Sequence, residues 1–140
     1  MREHRFLAQA YVHAGAYQKA GDIIAAGLEL APDDVALIAA RGDAKAGLDE
    51  PDGALADWHR AVQLDPEDIG ALYGSALLLE RQGRLAEAAD TWQAIVDWSD
   101  ARGLTLEAQW PRQELSRVRT RLTNRSQRRP ATAVDERRGL

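Results

Sequence analysis

The sequence contains no cysteine, so it can form neither a disulfide framework nor a thiolate metal site. It has no apolar run of the roughly 18 residues that marks a membrane-spanning helix. Its first residues, MREHRFLAQAYVH, lack the apolar core and the cleavage site of a signal peptide. We therefore expect a cytoplasmic protein without a transmembrane segment.

The sequence is also poor in residues arranged for catalysis. His4 and His13 would lie on opposite faces of a helix that has about 3.6 residues per turn, and His59 is expected to face solvent. The few serines have no histidine and acid in positions suited to a catalytic triad. The acidic segment 49–52 lacks the alternating ligands and the glycine of a calcium loop. We predict a protein that is not an enzyme and that holds no cofactor and no metal.

The net charge of −4 hides an asymmetry along the chain. Residues 1–111 carry 9 Lys/Arg and 19 Asp/Glu, whereas residues 112–140 carry 9 Arg and 3 Asp/Glu. Such a split between the two ends of a chain indicates a partner or self-association. An acidic body is a poor nucleic-acid surface, so nucleic acid is not the expected partner.

Residues recur along the chain at a fixed spacing. A shift of 34 residues places segment 28–32 (LELAP) over segment 62–66 (VQLDP) and Trp58 over Trp92. The same shift superimposes Ala20, Ala54 and Ala88, and twice that shift places Gly15 over Gly83. A period of this length is typical of a solenoid, in which each unit stacks on the next.

The repeated unit resembles the tetratricopeptide repeat, in which small residues occupy unit positions 8, 20 and 27, large residues positions 4, 7, 11, 17 and 24, and proline position 32. Three units fit, over residues 1–34, 35–68 and 69–102. The matching residues include Leu7, Ala8, Tyr11, Tyr17, Ala20, Ile24, Gly27, Pro32, Ile38, Gly42, Ala54, Trp58, Ala61, Pro66, Leu72, Ala76, Leu79, Leu85, Ala88 and Trp92. The departures are His4, Arg41, Lys45, Pro51, Ile95 and Asp100.

This resemblance implies an all-α fold, a right-handed α-α superhelical solenoid of three helix-turn-helix repeats. Apolar spacing, glycines and prolines predict helices over residues 2–14, 17–30, 35–46, 51–64, 67–82 and 85–98, with Gly47 ending the third. Solenoids end in an atypical cap, which we expect over about 104–124 with an interruption at Pro111. The repeat domain would then cover 1–124, followed by a disordered, Arg-rich tail over 125–140.

In the family, the first helices of successive units line a concave groove, and unit positions 2, 5, 9, 12 and 13 contact ligands. Carried over by position, the resemblance implies a groove lined by Arg2, Arg5, Gln9, Val12, His13, Ala36, Ala39, Asp43, Ala46, Gly47, Gly70, Tyr73, Leu77, Glu80 and Arg81. The residues in the middle of this groove have small side chains, which leaves room for an amphipathic helix or an extended peptide with an apolar anchor.

One subclass of the family clamps the C-terminal carboxylate of chaperone peptides with Lys and Asn side chains. Here Asp43 places a negative charge where the carboxylate would lie, and Tyr73 and Leu77 replace two cations. The sequence therefore argues against a carboxylate clamp. Two alternatives to a groove-binding adaptor stay open: a self-assembling scaffold that pairs acidic body with basic tail, and a tail that contacts nucleic acid or anionic lipid. Arg125, Arg128 and Arg129 would be the contacts of that tail.

Overall fold

A computed structural model describes residues 2–128. Within that range all regular secondary structure is helical, with no strand. The helices are α1 (Arg2–His13), α2 (Tyr17–Leu30), α3 (Val35–Gly47), α4 (Pro51–Leu64), α5 (Ile69–Arg81), α6 (Leu85–Ala101) and α7 (Gln109–Gln127). Each helix packs mainly against its neighbours in sequence, and α1 and α5 also contact α3. The predicted helices at 17–30 and 51–64 have the observed bounds.

The repeat is visible in how the helices begin and turn. Asp34 and Asp68 are the N-caps of α3 and α5, and each accepts a 3.2 Å hydrogen bond from a backbone N–H of the first turn. The turns inside the units each contain one left-handed residue: Gly15 at φ 74°, Asp49 at φ 59° and Gly83 at φ 73°. Aspartate is one of the few residues besides glycine that adopt this conformation routinely.

The core is a stripe of small and aromatic residues between the helices. Ala8, Ala20, Ala54 and Ala88 are fully buried, which lets the paired helices approach closely. Trp58 and Trp92 are also buried, so the prediction that these tryptophans belong to the core is confirmed. Trp58 packs between α3 and α5, and Trp92 packs beneath α7.

Two of the departures from the repeat are explained by one buried carboxylate. Asp57 accepts hydrogen bonds from Arg41 Nε and Nη2 at 2.9 and 2.7 Å, and Lys45 Nζ lies 2.8 Å from its Oδ2. Arg41 and Lys45 occupy positions where the repeat has large apolar residues. Because the long stems of both cations can lie along apolar surface while their charges meet Asp57, charged residues fill these positions without an unpaired buried charge.

Several helix ends differ from the prediction. Gly47 is predicted to follow the third helix, but it belongs to α3. It is the last helical residue, and Asp49 takes the left-handed conformation. A side chain at Gly47 would collide with the ring of Tyr17, which gives this glycine a packing role. The sixth helix runs three residues beyond 98, and α5 begins at Ile69 because Asp68 caps it.

The C-terminal cap is one helix, α7, and it begins later than predicted. Pro111 lies in the first turn of α7, where it does not interrupt the helix because its missing N–H would be unpaired there anyway. Leu115 and Val118 are buried against α6. The helix continues to Gln127, so residues 125–127 of the predicted tail are helical, and residues 129–140 lie outside the described range.

Candidate functional site

A cavity of about 350 Å³ opens between α1, α3 and α5, the first helices of the three units. We call it the central cavity. It is lined by Gln9, Ala36, Ala39, Ala40, Asp43, Trp58, Asp68, Gly70 and Ala71. Its walls consist mostly of alanine and glycine together with the indole of Trp58, and its other polar side chains are one amide and two carboxylates. The cavity exists because side chains that could fill it are reduced to methyl groups or hydrogen.

The central cavity brings together five of the residues that the sequence assigns to the groove. They are Gln9, Ala36, Ala39, Asp43 and Gly70. The three helices contribute them at equivalent faces, because the repeat brings unit positions 2, 5 and 9 of successive units side by side. The small residues in the middle of the predicted surface thus form a concave depression.

Asp43 is a half-buried acid of this cavity. Its Oδ1 accepts a 3.0 Å hydrogen bond from the indole Nε1 of Trp58, which reaches the cavity from α4. Burial raises the pKa of Asp43, and the nearby Asp68 carboxylate adds to the rise, whereas the Trp58 hydrogen bond and His13 oppose it. Within residues 2–128 neither Asp43 nor Asp68 forms an ion pair.

Arg5 is placed differently from the residues of the cavity. Its Nε donates to Asp34 Oδ2 at 2.8 Å, and its Nη2 lies 2.6 Å from the same oxygen. Burial alone would raise the pKa of Asp34, but the hydrogen bonds from Arg5 and from the backbone N–H of Leu37 together lower it. Arg5 is therefore tied to the N-cap of α3.

The other predicted residues near the N-terminal end do not line the cavity. Arg2 lies with Phe6 and Leu7 around a separate, exposed apolar depression. Val12 packs into the core cluster of α1–α3, and His13 shares a 3.0 Å hydrogen bond with Gln9 at the surface. The remaining two, Ala46 and Gly47, are half-buried and exposed, respectively.

At the C-terminal end, predicted residues of α5 meet α7. Tyr73 stacks on Trp110 with ring centroids 5.5 Å apart, and both rings meet Trp92 edge-on at 5.8 and 5.2 Å. Glu80 accepts from Trp92 Nε1 at 3.1 Å and from Arg117 Nη2 at 2.5 Å. These contacts attach the cap to α5 and close that end of the concave face.

Two further residues of α5 have no such role. Leu77 has an exposed fraction of 44%, and Arg81 is exposed in the last turn of the helix. Both are open to solvent next to the contacts that Glu80 makes with α7.

Sequence reasoning missed four residues of this surface. Trp58 and Asp68 are not among the predicted groove residues, yet both line the central cavity. Trp110 and Arg117 belong to α7, which has no repeat position to transfer. A usable signal existed for Asp68, because it lies 34 residues after Asp34, another acid that begins a helix.

The described part of the chain holds no group of three or more His, Asp or Glu side chains that could bind a metal ion. No helix between residues 2 and 128 is both long and apolar enough to span a bilayer.

Comparison with known families decides the identity of the repeat. Residues 39–102 match the family model of the tetratricopeptide repeat, a segment that covers most of the second and third units. The second and third units are tetratricopeptide repeats. No curated protein matches it significantly.

Solved tetratricopeptide repeat domains share this architecture. The TPR2B domain of yeast Sti1, solved in complex with pHsp70, is 21% identical, with a TM-score of 0.75 over 86% of this chain and 96% of that one. The first such domain of Spaghetti (RPAP3), bound to an HSP90 peptide, is 20% identical, with a TM-score of 0.71 over 86% and 93%.

A bacterial protein has the same fold. SycD, the type III secretion translocator chaperone of Yersinia enterocolitica, is 16% identical, with a TM-score of 0.76 over 87% of this chain and 85% of that one. These likenesses confirm the predicted all-α helical repeat solenoid.

Proposed function

We propose that this chain is a non-catalytic protein-interaction module that binds a peptide or helix of a protein partner along its concave face, centred on the central cavity. One observation carries the proposal: the first helices of all three units contribute to a single open cavity of about 350 Å³ whose walls are mostly alanine and glycine. A concave surface of this kind admits a partner's side chain without rearrangement of the backbone.

The fold supports this proposal by analogy. Spaghetti and Sti1 are solved with peptides of HSP90 and Hsp70, so the same architecture accommodates peptide ligands in those proteins. Function on a shared scaffold depends on the grafted surface. The surface of this chain has two carboxylates in its central cavity, which is the opposite of a site for a peptide carboxylate.

The alternative of a scaffold that pairs acidic body with basic tail has less support from the charges of α7. Arg112 pairs with Asp100, Arg117 pairs with Glu80 and Glu114, and Arg121 lies 3.6 Å from Glu80. These cations already meet acids of the same chain. Pairing between copies, or contact of the tail with nucleic acid or lipid, would therefore rest chiefly on the residues that follow them.

The test is a binding measurement with a matched pair of substitutions. Peptides that bind the protein are selected from a display library of 12-residue sequences, and their Kd values are measured by fluorescence anisotropy. Ala36→Trp fills the cavity from its wall, whereas Ala26→Trp adds the same ring to an exposed position of α2. We expect Ala36→Trp to weaken binding at least about tenfold and Ala26→Trp to leave it within about twofold.

The proposal fails if the two tryptophan variants bind the selected peptides equally, or if no peptide is selected that Ala36→Trp excludes. Binding that disappears only when residues 129–140 are deleted would favour the tail instead.

A further inference from the structure

We propose that the central cavity is a receptor for an arginine side chain of the partner, whose guanidinium pairs with Asp68 and Asp43. This inference rests on the proposed function and specifies the chemistry of the bound segment. It follows from a comparison of equivalent positions in successive units. The first unit has an arginine of its own at this place, whereas the second unit does not.

At the junction between the first and second units, the N-cap carboxylate of α3 pairs with a cationic side chain. Asp34, the N-cap of α3, is buried, and Arg5 of α1 reaches across to it with Nε and Nη2 at 2.8 and 2.6 Å. The guanidinium remains half-exposed, so it lies on the concave surface while its carboxylate partner lies beneath it. Arg5 occupies unit position 5 and Asp34 occupies unit position 34.

At the junction between the second and third units, the equivalent carboxylate has no cationic partner within residues 2–128. Asp68 is the N-cap of α5 and stands 34 residues after Asp34, but the residue 34 positions after Arg5 is Ala39. Both Asp68 and Ala39 line the central cavity. The cavity thus occupies the place that an arginine at position 39 would fill.

A second carboxylate strengthens the preference for a cation. Asp43 lines the same cavity, where its burial and the nearby Asp68 charge raise its pKa, as expected for two acids that share a space without a cation. His13 of α1 opposes this rise in the pKa of Asp43, but it is exposed and hydrogen-bonded to Gln9. Arginine is favoured over lysine because its planar fork can reach two carboxylates at once, whereas an ammonium group acts as a point charge.

The first experiment asks what the partner must supply. Library peptides that Ala36→Trp excludes are resynthesised with each arginine replaced by citrulline, which keeps the shape and removes the charge. We expect one arginine whose replacement weakens binding about tenfold to a hundredfold, the usual effect of losing a charge-assisted hydrogen bond in a partly buried site. Asp68→Asn, which keeps the N-cap acceptor, is expected to narrow this difference, and its combination with Asp43→Asn is expected to make the arginine and citrulline peptides bind within about twofold of each other.

The second experiment measures first the stability of the protein alone and then the binding of the selected peptides. Ala39→Arg introduces, at the junction between the second and third units, the pair that Arg5 and Asp34 form at the first junction. We expect it to raise the thermal midpoint relative to Ala39→Gln, to lose that advantage when combined with Asp68→Asn, and to abolish binding of the selected peptides. Asp43→Asn tests the second carboxylate while keeping an oxygen that can accept from Trp58.

The outcomes separate this inference from the proposed function. Peptides that Ala36→Trp excludes but that contain no essential arginine would overturn the inference and leave the groove as the binding surface. Failure to select any such peptide would overturn both. An Ala39→Arg variant that is no more stable than Ala39→Gln would also overturn the inference, because the cavity would then not recognise a guanidinium.

Discussion

Gly42 offers the sharpest test of how tightly the units are packed. A methyl group built on Gly42 would lie 2.7 Å from Cδ1 and Nε1 of Trp58 and 3.2 Å from the carbonyl oxygen of Ala54. Carbon atoms in contact prefer about 3.5 to 4.0 Å, so the new methyl group would penetrate the indole by roughly 0.8 Å. The ring is also close to the backbone of α5, because a methyl group built on Gly74 would lie 2.9 Å from its Cζ2.

The expected cost follows from two opposing effects. Replacing a glycine inside a helix by alanine stabilises the helix by about 1 kcal/mol. Overpacking a rigid core typically costs about 1–3 kcal/mol. Gly21, in α2, provides the matched control, since a methyl group there would meet nothing within 4 Å. The helix preference cancels between the two variants, so Gly42→Ala should be less stable than Gly21→Ala by about 1–3 kcal/mol.

The assay is urea denaturation of the wild-type protein and of both variants, followed by far-UV circular dichroism. Gly21→Ala is expected to increase the free energy of unfolding by about 0.5–1 kcal/mol. The reasoning is refuted if Gly42→Ala gains as much as Gly21→Ala, because the indole would then have space that the structure does not show. Adding Trp58→Phe, a smaller ring, to Gly42→Ala should recover part of the loss.

Three further predictions concern charge and the cap. Asp57→Asn should lower the free energy of unfolding by about 1–3 kcal/mol in urea, since it leaves two cations without their buried carboxylate. The pKa of Asp34 is lowered on folding, so its contribution is present above the ordinary value of 3.8 and is lost as pH falls through the lower folded value. Arg5→Gln should reduce that acid-dependent loss, measured by denaturation between about pH 2 and pH 5. A chain ending at Arg128 should keep the melting temperature of the full chain, whereas one ending at residue 108 should lose cooperative melting, because α7 covers the buried residues of α6.

Much of the fold could be predicted because the repeat imposes it. Positions such as Ala20 and Trp58 recur at a fixed spacing, and the spacing alone identifies which residues face the core. The end of a helix was less predictable where either of two residues could terminate it. Gly47 and Asp49 both suit the end of α3, and only the contact between Gly47 and Tyr17 shows that the glycine serves packing and the aspartate serves the turn.

The surface could be predicted only as far as the repeat extends. Position transfer found Ala39 and Asp43 because unit geometry places them on the concave face. It could not find Arg117, since α7 begins outside the repeat and its register depends on how Trp110 packs against Tyr73. Repeat positions do not indicate which side chains pair with each other. The bond that ties Arg5 to Asp34, and the lack of an equivalent bond at Ala39, are therefore seen only in the structure.

The contacts between helices that are near one another in sequence also determine how this chain folds. Because each helix packs chiefly on its neighbours in sequence, with further contacts of α3 to α1 and α5, no distant segments must meet before a stable contact forms. Such local topology favours fast folding that begins in any adjacent helix pair and spreads along the array. Local unfolding correspondingly proceeds from the ends, so amides of α3 and α4 should exchange with solvent more slowly than those of α1.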